Sequence, residues 1–251
     1  MALISPADYR FDMGAEVALA TRLYPRIAEE FFFVDVKEQN SHVNPEFTCL
    51  GAAYERNPEA AREAAKPYVI HALDISTSIA VRAPCGARFI VIYSRRMWQG
   101  ASSRLAFTFD HEIGHQLVPS GYALDMAGRL MGESAADAFA ALRALQRYGM
   151  EAGRKLLIRE STDRLTAPLR SHLKDDWEHL TGQVLNQIIR DCATKRFDAM
   201  SPDETVAEAD HYATRFAPSL DHAKQQWALL NDIVDDEHIG NFGQEPQPAK
   251  K

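Results

Sequence analysis

The sequence predicts an α+β fold that is mostly helical. Three observations carry this. Apolar residues recur at helical spacing along most of the chain. Short β-branched and aromatic runs are confined to the stretch before position 94. Everything after Pro119-Ser120-Gly121 reads as helices separated by turns. The 251 residues are enough to bury a substantial core, in one domain or two. A composition of 46% hydrophobic and 25% charged residues is that of an ordinary globular protein.

The elements follow in order. Ala15 to Phe31 forms a helix on the apolar positions Val17, Leu19, Leu23 and Ile27. Phe32-Phe33-Val34-Asp35-Val36 is rich in β-formers and makes a short strand. Asn57-Pro58-Glu59 opens a helix through about Lys66, with Asn as cap and Pro in the first turn. Tyr68 to Ile75 and Ala87 to Tyr93 are the best remaining strands. The second is the stronger, a short apolar run after a Pro/Gly turn. Ser102-Ser103 then caps a helix whose apolar flank is Leu105, Phe109, Ile113 and Leu117, and Pro119-Ser120-Gly121 stops it. Helices are expected at about 123–131, 133–148, 150–158, 175–196, 203–216 and 219–234. Ser201 to Glu204 reads as a capping box. The stripe Trp177, Leu180, Val184, Ile188 and Ile189 reads as core. The polar, Pro-containing stretch 240–251 is expected to be disordered.

Inside the helix that starts near Ser102 lies His111-Glu112-Ile113-Gly114-His115. At 3.6 residues per turn, positions i and i+4 share a face, so two imidazoles converge on one point. Glu112 lies about 100° round the helix, close enough to reach a water there but poorly placed to be a ligand. The fragment supplies two metal ligands and one general base. Catalytic zinc usually takes a third protein ligand and leaves one position open. The Ala-rich stretch Gly132-Glu133-Ser134-Ala135-Ala136-Asp137 supplies candidates: Glu133 as ligand, and Asp137 one turn on as acceptor for the second N–H of a ligating His. Asp125 and Asp137 are rivals for the third ligand.

The pattern resembles the gluzincin zinc metallopeptidases, which combine H-E-x-x-H with a glutamate ligand on a following helix. The run Glu133, Ala136, Asp137, Phe139, Ala140 is similar to compact bacterial zincins such as the ImmA/IrrE-type peptidases and the membrane-bound Ste24/HtpX-type enzymes. The resemblance covers about Phe89 to Tyr148. It implies Zn²⁺ held by His111, His115 and Glu133, with Glu112 as base and Asp137 behind one His. It also implies a zincin-like N-terminal lobe (1–120) with a short sheet and the motif helix, then a helical C-terminal lobe (121–239). The segment 87–93 would be the edge strand that binds an extended peptide, or else a plain core strand.

The expected reaction is hydrolysis of a peptide bond, with Glu112 taking a proton from water and passing it to the leaving amine. A further electrophile is needed for the developing oxyanion. Tyr122, His179, His211 and Tyr212 are the candidates, and the pair His211-Tyr212 is preferred. The net charge of −7 argues against nucleic acid as partner. No apolar run is long enough to span a membrane, which separates the chain from the membrane-embedded enzymes. The first residues lack the basic head and long apolar core of a signal peptide, and Cys49, Cys85 and Cys192 read as free thiols. A cytoplasmic location is expected, with leaderless export left open. A protein or peptide is the expected substrate, of broad or narrow specificity. The competing class is a zincin-like binding protein without catalysis.

Overall fold

The computed structural model describes residues 4–38, 45–75, 78–83, 86–92, 102–121, 125–166 and 177–235. It is an α+β fold, predominantly helical, with one small mixed sheet. In chain order the elements are α1 (Met13–Leu23), α2 (Pro25–Glu30), β1 (Phe31–Glu38), β2 (Glu46–Leu50), α3 (Ala52–Arg56), α4 (Pro58–Ile75), β3 (Ile79–Arg82) and β4 (Arg88–Ile92). They continue with α5 (Ser102–Leu117), α6 (Met126–Tyr148), α7 (Met150–Leu165), α8 (Gly182–Asp191), α9 (Pro202–Phe216) and α10 (Leu220–Asp235). Short 3₁₀ turns lie at Pro119–Gly121, Trp177–His179 and Phe197–Ala199.

The strand order is β2-β1-β4-β3. β1 runs antiparallel to β2 and parallel to β4, and β3 closes antiparallel on β4. Successive side chains alternate between the two faces. Val34, Val36, Phe89 and Val91 pack with Ala65, Val69, Ala72 and Leu73 of α4. Phe31, Phe33, Ile90 and Ile92 face the larger core, where Phe33 stacks on Phe109 of α5 at 5.8 Å. The sheet is therefore a middle layer that presses α5 onto α6. That larger core draws on α1, α5 to α9 and the sheet, and so runs across position 120.

Several expectations need correction. Tyr68 to Ile75 is not a strand but the second half of α4. Its buried residues Ala65, Val69, Ala72 and Leu73 have helical spacing, and this outweighs the β propensity of Tyr68, Val69 and Ile70. Of the two readings of 87–93 the core strand holds: it contains β4, which is hydrogen-bonded on both sides, and the edge strands are β2 and β3. β2, β3 and the single-turn α3 were not expected. The first expected helix breaks before Pro25, which has no N–H to continue the ladder. The two helices expected at 123–131 and 133–148 are one helix, capped at its start by Asp125 and running straight through Gly132. The expected 175–196 helix is a 3₁₀ turn followed by α8, and α7 is longer than expected. The capping box at Ser201 and Glu204 is present. Cys49 and Cys192 are free thiols; Cys85 and the stretch 240–251 lie outside the described residues.

Glycine sets a close contact between α5 and α6. A Cβ at Gly114 of α5 would sit 2.8 Å from Cα of Ala136 on α6 and 3.1 Å from Cβ of Phe139. Gly114→Ala gains helix propensity of about 1 kcal/mol but forces two helices apart, a strain of roughly 1–3 kcal/mol. A net fall in melting temperature of a few degrees is expected by calorimetry. Gly14→Ala on α1 is the control. Its Cβ meets only Asp12 Oδ1, at 3.4 Å, so no fall is expected there.

Candidate metal centre

α5 presents its motif because its other flank is core: Phe109 and Ile113 are fully buried and Leu105 nearly so. That fixes the helix rotation and turns His111 and His115 toward α6. Glu133 and Asp137 lie on the facing side of α6, four residues apart. His111, His115 and Glu133 form the one group among the described residues whose donor atoms all lie within 4.8 Å of one another.

Second hydrogen bonds orient both rings. His111 Nδ1 lies 2.7 Å from Asp137 Oδ1, and His115 Nδ1 lies 2.9 Å from the carbonyl oxygen of Gly121. Both partners are acceptors, so each Nδ1 carries a proton and each Nε2 of a neutral ring offers a lone pair. The two Nε2 atoms are 3.2 Å apart. His111 Nε2 is 3.3 Å from Glu133 Oε2, and His115 Nε2 is 3.4 Å from Glu133 Oε1. With both rings neutral, two lone pairs and a carboxylate at that separation repel, so a positive charge belongs between them, a metal ion or, without one, a ring proton. A four-coordinate divalent ion with bonds of ~2.0–2.1 Å has ligand atoms roughly 3.3–3.4 Å apart. The observed separations match. Glu133 Oε2 is moreover buried with no hydrogen-bond donor of its own, as expected of an oxygen reserved for a cation. The donor set fits a metal ion.

The electrostatics agree. Burial pulls the His111 ring pKa down, but the Asp137 and Glu133 carboxylates outweigh it and lift the ring to about 10. His115 is also raised, because Glu133 outweighs burial. Burial pushes the Glu133 carboxyl up, yet His179, His115 and His111 hold it well below the usual carboxylate range. The cavity thus favours positive charge. Glu112 is different. It is 6% exposed, and burial raises its pKa, which makes it a stronger base than a surface carboxylate.

Asp137 is completely buried. Besides His111 it accepts from Arg164 Nη2 of α7 at 2.7 Å and from the Thr181 hydroxyl. Burial alone would raise its pKa, but Arg164 and His111 keep it ionised. The same guanidinium approaches His111 Nδ1 at 3.5 Å. Arg164, Thr181 and the Gly121 carbonyl were not foreseen. Nothing in their sequence neighbourhoods marks them, since they act through contacts between distant elements.

The remaining candidates separate cleanly. Asp125 caps α6 by accepting from the Gly128 N–H at 2.6 Å and takes no part in the His-His-Glu group. His179, on the 3₁₀ turn before Thr181, lies with Nε2 3.5 Å from Glu133 Oε2 and its side chain one-third exposed. His211 and Tyr212, the preferred pair, are not brought to the group. Tyr212 is fully buried, with its hydroxyl donating to Asp191 and its ring among Phe197, Phe216 and His211. His211 is exposed, and its ring contacts are with Tyr212 and Phe216. The helical stripe of α9 turned Tyr212 into the core. Tyr122 lies outside the described residues.

No family model, curated protein or solved structure matches this chain.

Asp137→Asn preserves the shape of the carboxylate but removes the charge that orients His111. Loss of such a partner typically weakens metal binding about 10–100-fold. Competition against a chelator of known affinity measures it; unchanged affinity would show that Asp137 is merely a buried structural anion.

Proposed function

We propose that this chain is a zinc-dependent metallopeptidase of gluzincin type that hydrolyses peptide bonds in a protein or peptide substrate. The observation that carries the reading is the convergence of two Nε2 atoms and the Glu133 carboxylate, with an unused buried carboxyl, Glu112, one residue from the first ligand. Two imidazoles and one carboxylate make a donor set of the kind that catalytic zinc takes, three protein ligands with one corner left open. The zincin-like division follows: the sheet and α5 form one wall, and α6 with the helices after it forms the other.

His111, His115 and Glu133 would hold the ion. When bound, it lowers the pKa of a coordinated water toward ~7 and polarises a carbonyl oxygen. Glu112 takes one proton from water as the water oxygen adds to the scissile carbonyl carbon. The raised pKa of Glu112 helps this transfer. As the C–N bond breaks, the same proton passes to the leaving nitrogen, so the carboxylate is regenerated. His179 is the residue to donate a hydrogen bond to the negative oxygen that develops, from Nε2 at the open side of Glu133. It replaces His211 and Tyr212 in that role. β3 is the edge strand beside α5, tied to it by Arg82 Nε on Gln116 Oε1 at 3.2 Å. Its outward N–H and C=O groups suit an extended peptide.

Among the described residues no helix is long and apolar enough to cross a membrane. With a net charge of −7, protein rather than nucleic acid is the substrate we favour, and the cytoplasm is the compartment we favour. A non-catalytic binding protein of the same shape has no use for Glu112 in a buried position beside the ligands.

Glu112→Gln should keep one equivalent of zinc and lose at least about 100-fold in the rate of cutting an unfolded protein. His111→Ala should lose the metal as well. Equal cutting by the wild type and Glu112→Gln would refute the peptidase reading. Replacing His179 by Asn should lower kcat about 10²-fold with little change in KM. His211→Ala should behave as wild type in the same assay.

A further inference from the structure

We infer that Asp210 of α9 is a positioning residue for the metal centre: it holds the turn at Pro119–Gly121, and through that turn it fixes His115. This rests on the metallopeptidase reading and deepens it by giving one proposed ligand a remote support.

The connection is a short series of hydrogen bonds. Asp210 Oδ1 accepts from the backbone N–H of Ser120 at 2.9 Å, from a helix ninety residues further along the chain. The next residue, Gly121, has its carbonyl oxygen 2.9 Å from His115 Nδ1. The Gly121 N–H donates to the Val118 carbonyl at 2.9 Å, and the Val118 N–H donates to that of Gly114 at 3.0 Å. Packing alone leaves this turn incompletely fixed. The close approaches of Gly121 to Gly114 and Gly132 limit how near the turn comes to the two helices. They do not set the rotation of its peptide planes. A 3₁₀ turn of three residues has too few internal bonds to hold that rotation by itself. A carboxylate accepting from a backbone N–H supplies a charge-assisted bond, stronger than a neutral one.

Asp210 is itself well placed to hold something still. α9 starts at the capping box of Ser201 and Glu204, and its buried stripe is Thr205, Ala209, Tyr212 and Ala213. Tyr212 is anchored by its hydroxyl on Asp191. That stripe sets the rotation of the helix, and Asp210, next to Ala209, is half-buried on the side of the turn. Asp210 borders a cavity of about 430 Å³ whose apolar lining includes Leu23, Leu117, Pro119 and Val206. His211 and Tyr212 stay away from the His-His-Glu group. α9 therefore serves the centre by holding a turn, not by lending a side chain to the ion.

The test compares Asp210→Ala with Asp210→Asn, whose amide oxygen still accepts from the Ser120 N–H. Zinc affinity is measured by competition against a chelator, and Co²⁺ is loaded in place of zinc to record the visible absorption of the site. Removing the direct partner of a ligating His costs about 10–100-fold in affinity. A support one step further out should cost less, about 3–10-fold for Asp210→Ala, with a shift of the Co²⁺ bands. Asp210→Asn should restore the bands, and the affinity to within about twofold. Asp203→Ala makes the same change of charge on the same helix, beside the same cavity, and leaves the Ser120 bond in place. It should bind and absorb as wild type. Should Asp210→Ala fail to fold, Asp210→Leu keeps a side chain of similar size against the apolar lining and takes its place in each comparison. Wild-type affinity and spectrum in the Ala or Leu variant overturn the inference, as does an equal loss in Asp210→Asn or Asp203→Ala. Neither readout needs turnover. If Glu112→Gln cuts as fast as wild type while these shifts are seen, the peptidase reading fails and the role of Asp210 stands. A wild type that binds no metal overturns both.

Discussion

The contact between α5 and α6 at Gly114 and Ala136 governs the geometry of everything around it. Donor atoms some 3.3 Å apart on two helices require backbones closer than ordinary side chains allow. Small residues make that possible, and they come as a chain. Gly114 meets Ala136; a Cβ at Gly121 would lie 2.6 Å from the Gly114 carbonyl oxygen; a Cβ at Gly132 would lie 2.9 Å from that of Gly121. The turn at Pro119–Gly121 is thus wedged between the two helices. Its wedging delivers the Gly121 carbonyl to His115 Nδ1. One packing constraint therefore places the His111, His115 and Glu133 donor atoms together and orients one of the rings.

Charge completes what packing begins. Arg147 of α6 binds Asp110, the residue before His111, at 2.9 Å, and Glu16 of α1 at 2.7 Å, with both carboxylates buried. Arg164 and Thr181 bind Asp137 from the other side. The motif helix is thus held from both sides by ionised groups that cannot be left unpaired without a cost of several kcal/mol. Such networks contribute little net stability when complete. Their effect is to make any other rotation of α5 expensive, which is what a metal site needs.

The His111, His115 and Glu133 cluster was legible in the sequence because its spacings are local. His111, Glu112 and His115 need only one helical turn to be related, and Glu133 with Asp137 needs one more. The long-range partners were not legible. Asp137 and Thr181 are forty-four residues apart, and only the fold joins them. The strand expected at Tyr68 to Ile75 failed for a related reason: a β-branched run was read locally, while burial against the sheet demanded a helix. β4 was located as an element with edge and core positions both open, and only the fold selected the core position, since register and neighbours are tertiary facts. The preference for His211 and Tyr212 favoured a pair on a well-marked helix over His179 on an unmarked turn.

The division of parts between rigid and marginal elements has a chemical logic. The proposed ligands His111 and Glu133 and the proposed base Glu112 lie within long helices among buried neighbours, and His115 lies in the last turn of α5. His179, the proposed donor to the oxyanion, lies instead on a three-residue turn. Affinity for an ion depends on distances correct to a few tenths of an ångström, which only packed helices maintain. Contacts to a substrate tolerate more play and need access to solvent, which a turn and an edge provide. On that proposal, changes in His179 alter turnover with little effect on the ion. Changes in the second ring, at Asp137 or Arg164, should act in the opposite sense. The two properties are separable because the fold places them on elements of different rigidity.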